Sequence, residues 1–258
     1  MNQATTPGSL YLVPNTLDFG IAGVAPDVQD AIARGPLTIA ARLRHWVAEN
    51  AKTTRAFLKR VDAVVPLGEA LQAIDIRELP RPPKGSPRDG RPPDFGPLLV
   101  PALAGHDLGL ISEAGLPAVA DPGALLVAAA HAAGVKVVPL PGPSSLLMAL
   151  SGSGLNGQSF AFVGYLPVDA GARQVRIREL EAASRRGGQT QIMIETPYRN
   201  PALMDALLAS LNEATRLAVS SGLATPLEWT RSMTVKQWRK AGVAVPADIP
   251  AVFSLLAD

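Results

Sequence analysis

Two short stretches of this chain carry the residue types from which a ligand site is built. Residues 110–124 read Leu-Ile-Ser-Glu-Ala-Gly-Leu-Pro-Ala-Val-Ala-Asp-Pro-Gly-Ala, and residues 137–145 read Val-Val-Pro-Leu-Pro-Gly-Pro-Ser-Ser. Each is an apolar run that passes into Gly/Pro-rich backbone and then into a helical pattern. Strand ends of this kind are where open α/β sheets bind ligands. Gly115 and Gly142 are expected to admit a ligand closely against the backbone, because glycine has no Cβ and tolerates unusual dihedrals. Pro117, Pro122, Pro141 and Pro143 stiffen both loops, which lowers the ordering cost of binding. Either loop alone reads as a simple chain reversal. Together, about twenty residues apart, they predict two ligand-facing walls on neighbouring strands.

The chemistry available to such a site is narrowed by composition. Cysteine is absent, so disulfides and thiolate metal sites are excluded. The three histidines, His45, His106 and His131, are not paired at ligand spacing, and no metal is expected. Lys and Arg total 24 against 22 Asp and Glu, a balance that by itself predicts no polyanionic partner. No apolar run approaches the ~20 residues that span a bilayer. The opening Met-Asn-Gln-Ala-Thr-Thr-Pro lacks the basic and apolar regions of a signal peptide. The composition is that of a soluble cytoplasmic α/β protein with no membrane partner.

The elements that must position these loops follow from periodicity and punctuation. Residues 9–13 read as a buried strand stopped by Pro14. Residues 27–42 are helical in pattern, with Gly35 and Pro36 expected to break them into two pieces. A strand over 45–49 is followed by Asn50, the expected cap of a helix over 51–60 along which Lys52, Arg55, Lys59 and Arg60 cluster. A helix over 98–103 precedes a strand over 107–111. Asp121 reads as an N-cap with Pro122 at the first helical position, and Gly134 stops that helix before a strand over 135–140.

The second half repeats the rhythm. A helix from Pro143, a strand over 159–163, a helix over 172–184 and a strand over 189–195 come in order. Asn200 is the expected cap of the next helix, with Pro201 at its first position and Leu203, Leu207 and Leu211 as its buried stripe. Strands over 216–219 and 251–256 flank a short helix over 235–240. This alternation predicts sheets covered by helices. Residues 80–97 stand apart, with seven prolines and three glycines among Arg81, Lys84, Arg88 and Arg91. They read as a mobile loop or polyproline segment, either an inert linker with solvated charges or an electropositive flap over an acidic substrate.

The two loops, taken as a pair, resemble the tetrapyrrole methylase superfamily, which transfers methyl groups from S-adenosylmethionine. The resemblance is nearest to its small-subunit ribosomal RNA 2′-O-methyltransferase I branch. That branch carries Ser-Asp-Ala-Gly-Thr-Pro-Leu-Ile-Ser-Asp-Pro-Gly and then Pro-Leu-Pro-Gly-Pro-Ser. Here the first becomes Ser-Glu-Ala-Gly-Leu-Pro-Ala-Val-Ala-Asp-Pro-Gly from Ser112 to Gly123, and the second stands unchanged from Pro139 to Ser144. It extends through residues 151–155, 162–167 and 195–199 and is strongest over 108–199. The resemblance implies two unlike αβα domains, 1–141 and 142–258, with the cofactor in the cleft between them, and a homodimer.

Carried over by the same resemblance, the cofactor contacts are Pro14, Ser112, Glu113, Ala114, Gly115, Pro117, Asp121 and Pro122. Gly142, Pro143, Ser144 and Ser145 follow, with Tyr165, Leu166, Thr196 and Pro197 as a further wall. The branch has Ala-Ala-Glu-Asp-Thr-Arg-x-Thr where this chain has Val-Ala-Glu-Asn-Ala-Lys-Thr-Thr over 47–54, which aligns Glu49 as the catalytic acid or base. A carboxylate at hydrogen-bond distance could take the proton of an attacking ribose hydroxyl. Equally, Glu49 reads as a helix-start carboxylate favoured by the macrodipole. Lys52, Arg55, Arg81, Lys84, Arg88 and Arg91 are the expected substrate contacts, since RNA calls for cations against phosphate.

The departures fall mostly on the acceptor side. Glu113 stands for Asp, Leu116 for Thr and Tyr198 for His. The Thr-Pro-Ile-Gly-Asn-Leu segment becomes Val-Pro-Asn-Thr-Leu-Asp over 13–18, without its glycine. The Glu-Leu-Thr-Lys segment becomes Gly-Leu-Ala-Thr over 222–225. A Tyr-His-Glu-His-Asn-Glu stretch is missing, and the Pro-rich segment occupies its place. The leading expectation is a methyltransferase acting on ribosomal RNA ribose. Methylation of a tetrapyrrole or another small molecule, and a non-catalytic S-adenosylmethionine-binding protein, are the alternatives.

Overall fold

The computed structural model describes residues 6–18, 21, 23, 27–80 and 93–257. Arg81, Lys84, Arg88 and Arg91, and with them most of the Pro-rich segment, lie outside the described residues. The chain forms two compact units that divide between Pro143 and Ser144. Both are α/β. Among the described residues no helix is long and apolar enough to cross a membrane.

The first unit is built on five parallel strands: β1 (Ser9–Leu12), β2 (His45–Ala48), β3 (Asp75–Glu78), β4 (Leu108–Ile111) and β5 (Lys136–Pro139). Their order across the sheet is β3-β2-β4-β1-β5. β4 is buried along its whole length, as expected of a central parallel strand covered on both faces. Helices α1 (Val28–Ala31), α2 (Arg34–Arg42), α3 (Ala51–Asp62), α4 (Gly96–Leu103) and α5 (Gly123–Ala132) connect the strands. Trp46, Phe57, Leu58 and Leu37 fill one apolar cluster, and Leu10, Leu99, Leu108 and Leu126 fill another. From β1 the chain passes over to β2 on one side, whereas from β4 it passes to β5 on the other. The adjacent strands β1 and β4 therefore define a topological switch point, the place where such sheets open a crevice at their carboxyl ends.

Helix signals were largely local and hold. The Asn50 side chain accepts from the Lys52 N–H at the start of α3. Thr54, Phe57, Leu58 and Val61 make the buried stripe of that helix. Gly134, at φ 71°, ends α5 with the Gly134 N–H on the His131 carbonyl and the Val135 N–H on the Ala130 carbonyl, a Schellman motif. The helix itself begins at Gly123 rather than Pro122, yet Asp121 still holds its first turn, because Asp121 Oδ1 accepts from the Gly123 N–H at 2.7 Å.

The second unit carries a mixed sheet in the order β6-β7-β10-β8-β9. Its strands are β6 (Phe160–Tyr165), β7 (Thr190–Ile194), β8 (Arg216–Ser221), β9 (Trp229–Thr234) and β10 (Ala251–Leu256). Only β6 and β7 pair in parallel; β10 and its neighbours are antiparallel. Helices α7 (Ala170–Gly187), α8 (Asn200–Ser210) and α9 (Val235–Ala241) pack one apolar cluster around Met193, Leu207, Trp238 and Phe253. Helix α6 (Ser145–Ser153) lies against β8, β9 and β10.

Several expectations are corrected. The break between α1 and α2 falls at Ile32 and Ala33, not at Gly35 and Pro36, which sit inside the first turn of α2. Proline is tolerated there because its missing N–H is one that the first turn leaves without an intrahelical partner. Strands β3 and β9 were not anticipated. Both are sheet edges with a weak pattern: Asp-Ile-Arg-Glu has one apolar residue, and in Trp-Thr-Arg-Ser-Met-Thr the half-buried Trp229 and Met233 are separated on their face by the exposed Arg231. Asn200 is not a cap: it is fully buried, and its Nδ2 donates to the Ile249 carbonyl at 2.9 Å. The end of the Pro-rich segment is packed rather than mobile, since Phe95 is buried and Asp94 Oδ1 accepts from the Gly96 N–H that opens α4.

Gly142 is also reassigned. A Cβ built on it would lie 2.1 Å from Cβ of Pro14, so the missing side chain makes room for the proline that ends β1 rather than for a ligand. Gly142→Ala should therefore destabilise the protein by about 1–3 kcal/mol, the usual cost of overpacking. Calorimetry would show this as a lower Tm, and an unchanged Tm would mean that Pro14 yields freely.

Candidate functional site

Three chain segments converge where β1, β2 and β4 end. The segment leaving β1 meets the loop leaving β4 in an isolated antiparallel bridge between Asn15 and Gly115. The Asn15 N–H donates to the Gly115 carbonyl at 2.9 Å. The Asn15 side chain is buried, and its Nδ2 donates to the carbonyls of Ser112 and Glu113 at 3.0 and 3.1 Å. Ser112 Oγ in turn donates to the Ala114 carbonyl at 3.1 Å.

The segment leaving β2 reaches the same loop. Glu49 Oε1 accepts from the Glu113 N–H at 3.1 Å. Thr53 Oγ1, on the first turn of α3, donates to Glu113 Oε1 at 2.6 Å. The first amides of α3 are taken by other groups, the Lys52 N–H by Asn50 and the Ala51 N–H by Glu78. Glu49 makes neither of these bonds, and its carboxylate is engaged with the β4 loop. Asn15 and Thr53 were missed by sequence reasoning. The available signal was a lone amide directly after the strand-ending Pro14.

Gly115 has φ 69°, and a Cβ on it would lie 3.3 Å from both Leu17 Cδ2 and the Pro143 carbonyl oxygen. Its freedom serves the bridge with Asn15, so a side chain here would disturb the loop itself before any ligand. Beyond it Pro117 is buried, and Ala118 and Ala120 hold positive φ values of 67° and 63°. Non-glycine residues rarely adopt that region, and strain of this kind persists where surrounding bonds over-determine it. Asp121 provides those bonds: its Oδ1 accepts from the N–H groups of both Ala118 and Gly123. Ala114 and Pro122 are exposed at the two ends of the loop. Lys52 and Arg55 are exposed on α3.

In the second unit Ser144 is buried and precedes α6, with Ser145 as the first residue of that helix. Tyr165 is exposed at the end of β6, whereas the side chain of Leu166 is in the apolar core and leaves only backbone as a wall. Thr196 and Pro197 begin a short 3-10 turn after β7. The buried Glu195 organises that turn: its Oε1 accepts from the Thr196 N–H at 2.7 Å and from Arg199 Nη2 at 2.6 Å. The Glu195 hydrogen bond raises the Arg199 pKa above its ordinary value.

The α/β chain matches a methylase class over most of its length. The family profile of Tetrapyrrole (Corrin/Porphyrin) Methylases matches residues 55–238, and the chain belongs to that family. The chain is 39% identical over 144 residues to the ribosomal RNA small subunit methyltransferase I of Mesorhizobium japonicum, covering 55% of this chain and 48% of that one. It is 37% identical over 140 residues to the protein of the same name from Vibrio cholerae, covering 54% and 47%. The chain thus spans about half the length of these curated relatives. The solved uroporphyrin-III-C-methyltransferase of Thermus thermophilus covers 96% of this chain and 92% of its own at a TM-score of 0.49 and 17% identity, too distant to transfer anything to this site.

Asp121 gives the site a pH signature. Burial raises its pKa, and the hydrogen bonds from the Gly123 and Ala118 amides only partly oppose that shift. Its Oδ2 is buried without a hydrogen-bond partner. A carboxyl that holds its proton more tightly when folded favours folding in acid, and that contribution is lost as the pH rises through its folded pKa. Asp121→Asn keeps an oxygen for the two amides and cannot ionise. Wild-type Tm should therefore fall relative to the variant as the pH rises from the ordinary carboxylate range, about 4, through the raised folded value. Parallel Tm curves would show that this carboxyl does not titrate there.

Proposed function

We propose that the chain is an S-adenosylmethionine-dependent methyltransferase whose acceptor is a ribose hydroxyl of small-subunit ribosomal RNA. The observation that carries this reading is the meeting of Asn15, Glu49 and Thr53 on the Glu113 loop at the sheet's switch point, in a chain of this family. The names of the relatives support the RNA acceptor. Bound S-adenosylmethionine supplies an electrophilic methyl on a cationic sulfur. The carboxylates of Glu49 and Glu113 beside the β4 loop suit that charge. Pro14 and the loop residues Ser112, Glu113, Ala114, Gly115 and Pro117 would hold the donor.

Transfer is an in-line displacement, so alignment of donor and acceptor removes much of the barrier. The donor, held by the β4-loop residues, would supply the methyl carbon to the acceptor oxygen and depart with the electron pair on its sulfur. Glu49 takes the hydroxyl proton, its Oε1 held in place by the Glu113 amide. Lys52 and Arg55, with Arg81, Lys84, Arg88 and Arg91 of the Pro-rich segment, would supply cations for phosphates. Glu49→Gln keeps the hydrogen bond to Glu113 and removes the proton acceptor. It should lower kcat for methyl transfer to small ribosomal subunits by about 10²–10⁴-fold. Affinity for S-adenosylhomocysteine and Tm should stay near wild type. An unaffected kcat would assign the proton elsewhere, and a wild type that methylates no ribosomal RNA would overturn the reading.

The reading also carries a homodimer, and β6 supports it. This edge strand exposes Phe160, Phe162 and Tyr165, at 42%, 37% and 56%, and residues 158–168 include no charged side chain. A two-fold axis sets each residue near it against its own kind, so an uncharged apolar strip meets itself without repulsion. Light scattering at micromolar concentration should give twice 26.9 kDa, and Phe162→Asp should return the monomer mass. A wild type already at 26.9 kDa would refute this.

A further inference from the structure

Helix α3 presents one row of residues to solvent: Lys52, Arg55, Ala56 and Lys59 are all exposed, and their spacing sets them on a single face. Beside that row is a cavity of about 150 Å³. Its walls are Thr16 and Asp18 from the segment after β1, Ala56, Phe57 and Arg60 from α3, and the Glu113 side chain. Every one of these residues belongs to the first unit. A space of roughly 150 Å³ holds one benzene-sized ring, whereas pockets for whole drug-sized ligands begin near ~300 Å³. The cavity therefore suits a single planar ring and is too small for a complete nucleotide donor or a macrocycle.

The lining has the two characters that a heteroaromatic ring requires. Ala56 offers an exposed apolar surface, with Phe57 buried behind it. Around it the polar groups are held in fixed positions: Arg60 Nη1 lies 3.1 Å from Thr16 Oγ1 and 3.3 Å from Asp18 Oδ2, and Thr53 Oγ1 lies 2.6 Å from Glu113 Oε1. Single-stranded RNA is read in this manner, with an unstacked base against an aromatic or apolar face and hydrogen bonds along its edge. The cations of α3 supply the other half of such an interface, since Lys52, Arg55 and Lys59 stand on the same exposed row as Ala56. Glu113 joins the cavity to the proposed proton acceptor, because it lines the one and its amide holds Glu49.

We propose that this cavity receives the base of the acceptor nucleotide, with the neighbouring phosphates on Lys52, Arg55 and Lys59. The proposal deepens the RNA reading above and rests on it. Ala56→Phe tests it, because the new ring occupies the cavity from an exposed helical position and removes none of the hydrogen bonds just described. Two measurements are needed. In the first, wild type and variant are titrated with the four nucleoside 5′-monophosphates at millimolar concentration and followed by backbone amide NMR. In the second, methyl transfer to small ribosomal subunits is compared, with S-adenosylhomocysteine affinity and Tm measured alongside.

The expected result is that at least one mononucleotide shifts the amides of Thr53, Ala56 and Glu113 in wild type and not in the variant. Transfer to subunits should fall by about tenfold or more, as when one stacked base is lost, with cofactor affinity and Tm unchanged. The proposal is overturned if no mononucleotide moves those amides in wild type, or if Ala56→Phe methylates subunits as fast as wild type. A wild type that transfers no methyl to subunits would remove the RNA acceptor, and the titration would still decide whether the cavity takes a base.

Discussion

The Asn15 carboxamide ties together two strands that lie side by side and send their chains in opposite directions. Its two N–H groups bond the Ser112 and Glu113 carbonyls, and its own backbone pairs with Gly115. The carbonyls it satisfies belong to a loop that has left the sheet and has no strand neighbour to bond. A buried acceptor stripped of its partner costs roughly 1–3 kcal/mol, so this one side chain holds the loop in place through both carbonyls. Glu49 and Thr53 then reach a loop that is already placed. The carboxylate proposed as proton acceptor is aligned because the β1–β4 junction is aligned first.

The remainder of the β4 loop is conformationally expensive, and its cost is met locally. Ala118 and Ala120 occupy left-handed backbone without the benefit of glycine. Asp121 bonds the amides on either side of that strained stretch through one oxygen and leaves the other buried without a partner. A free loop would relax out of this shape. Rigidity of this kind favours a ligand that must be gripped by backbone, because little ordering entropy is lost when it binds.

The two units solve different packing problems. In the first, every strand is parallel and each crossover lays a helix on the sheet, so the strand ends gather loops at one edge. In the second, only β8 and β9 are joined directly as antiparallel neighbours, while α7, α8 and α9 carry the other crossovers, and buried polar groups fix the loops as well. Glu195 closes the turn after β7, and Asn200 bonds the Ile249 carbonyl across 49 positions of sequence. The side chain of Leu166 joins the core there for the same reason: it follows an edge strand whose inner face needs covering.

What could be read from the sequence was what is local. Alternating apolar runs and helical stripes, the cap at Asn50, the stop at Gly134 and the Gly/Pro loops after β4 and β5 each depend on a few consecutive residues, and their physics is complete within a turn or two. The α/β class and the position of the candidate site follow from them. The tertiary structure decided everything that rests on a distant neighbour. β3 and β9 are strands because a partner strand offers its edge to them, since a single Ile76 and a Trp229–Met233 pair interrupted by Arg231 are too weak a pattern on their own. Gly142 lacks a side chain because Pro14 lies against it, and the cavity beside Ala56 exists only once the segment after β1 has been laid along α3. The hydrogen bond from Asn15 to Glu113 spans 98 positions. No local period encodes it, because it requires the strand order that puts β4 beside β1.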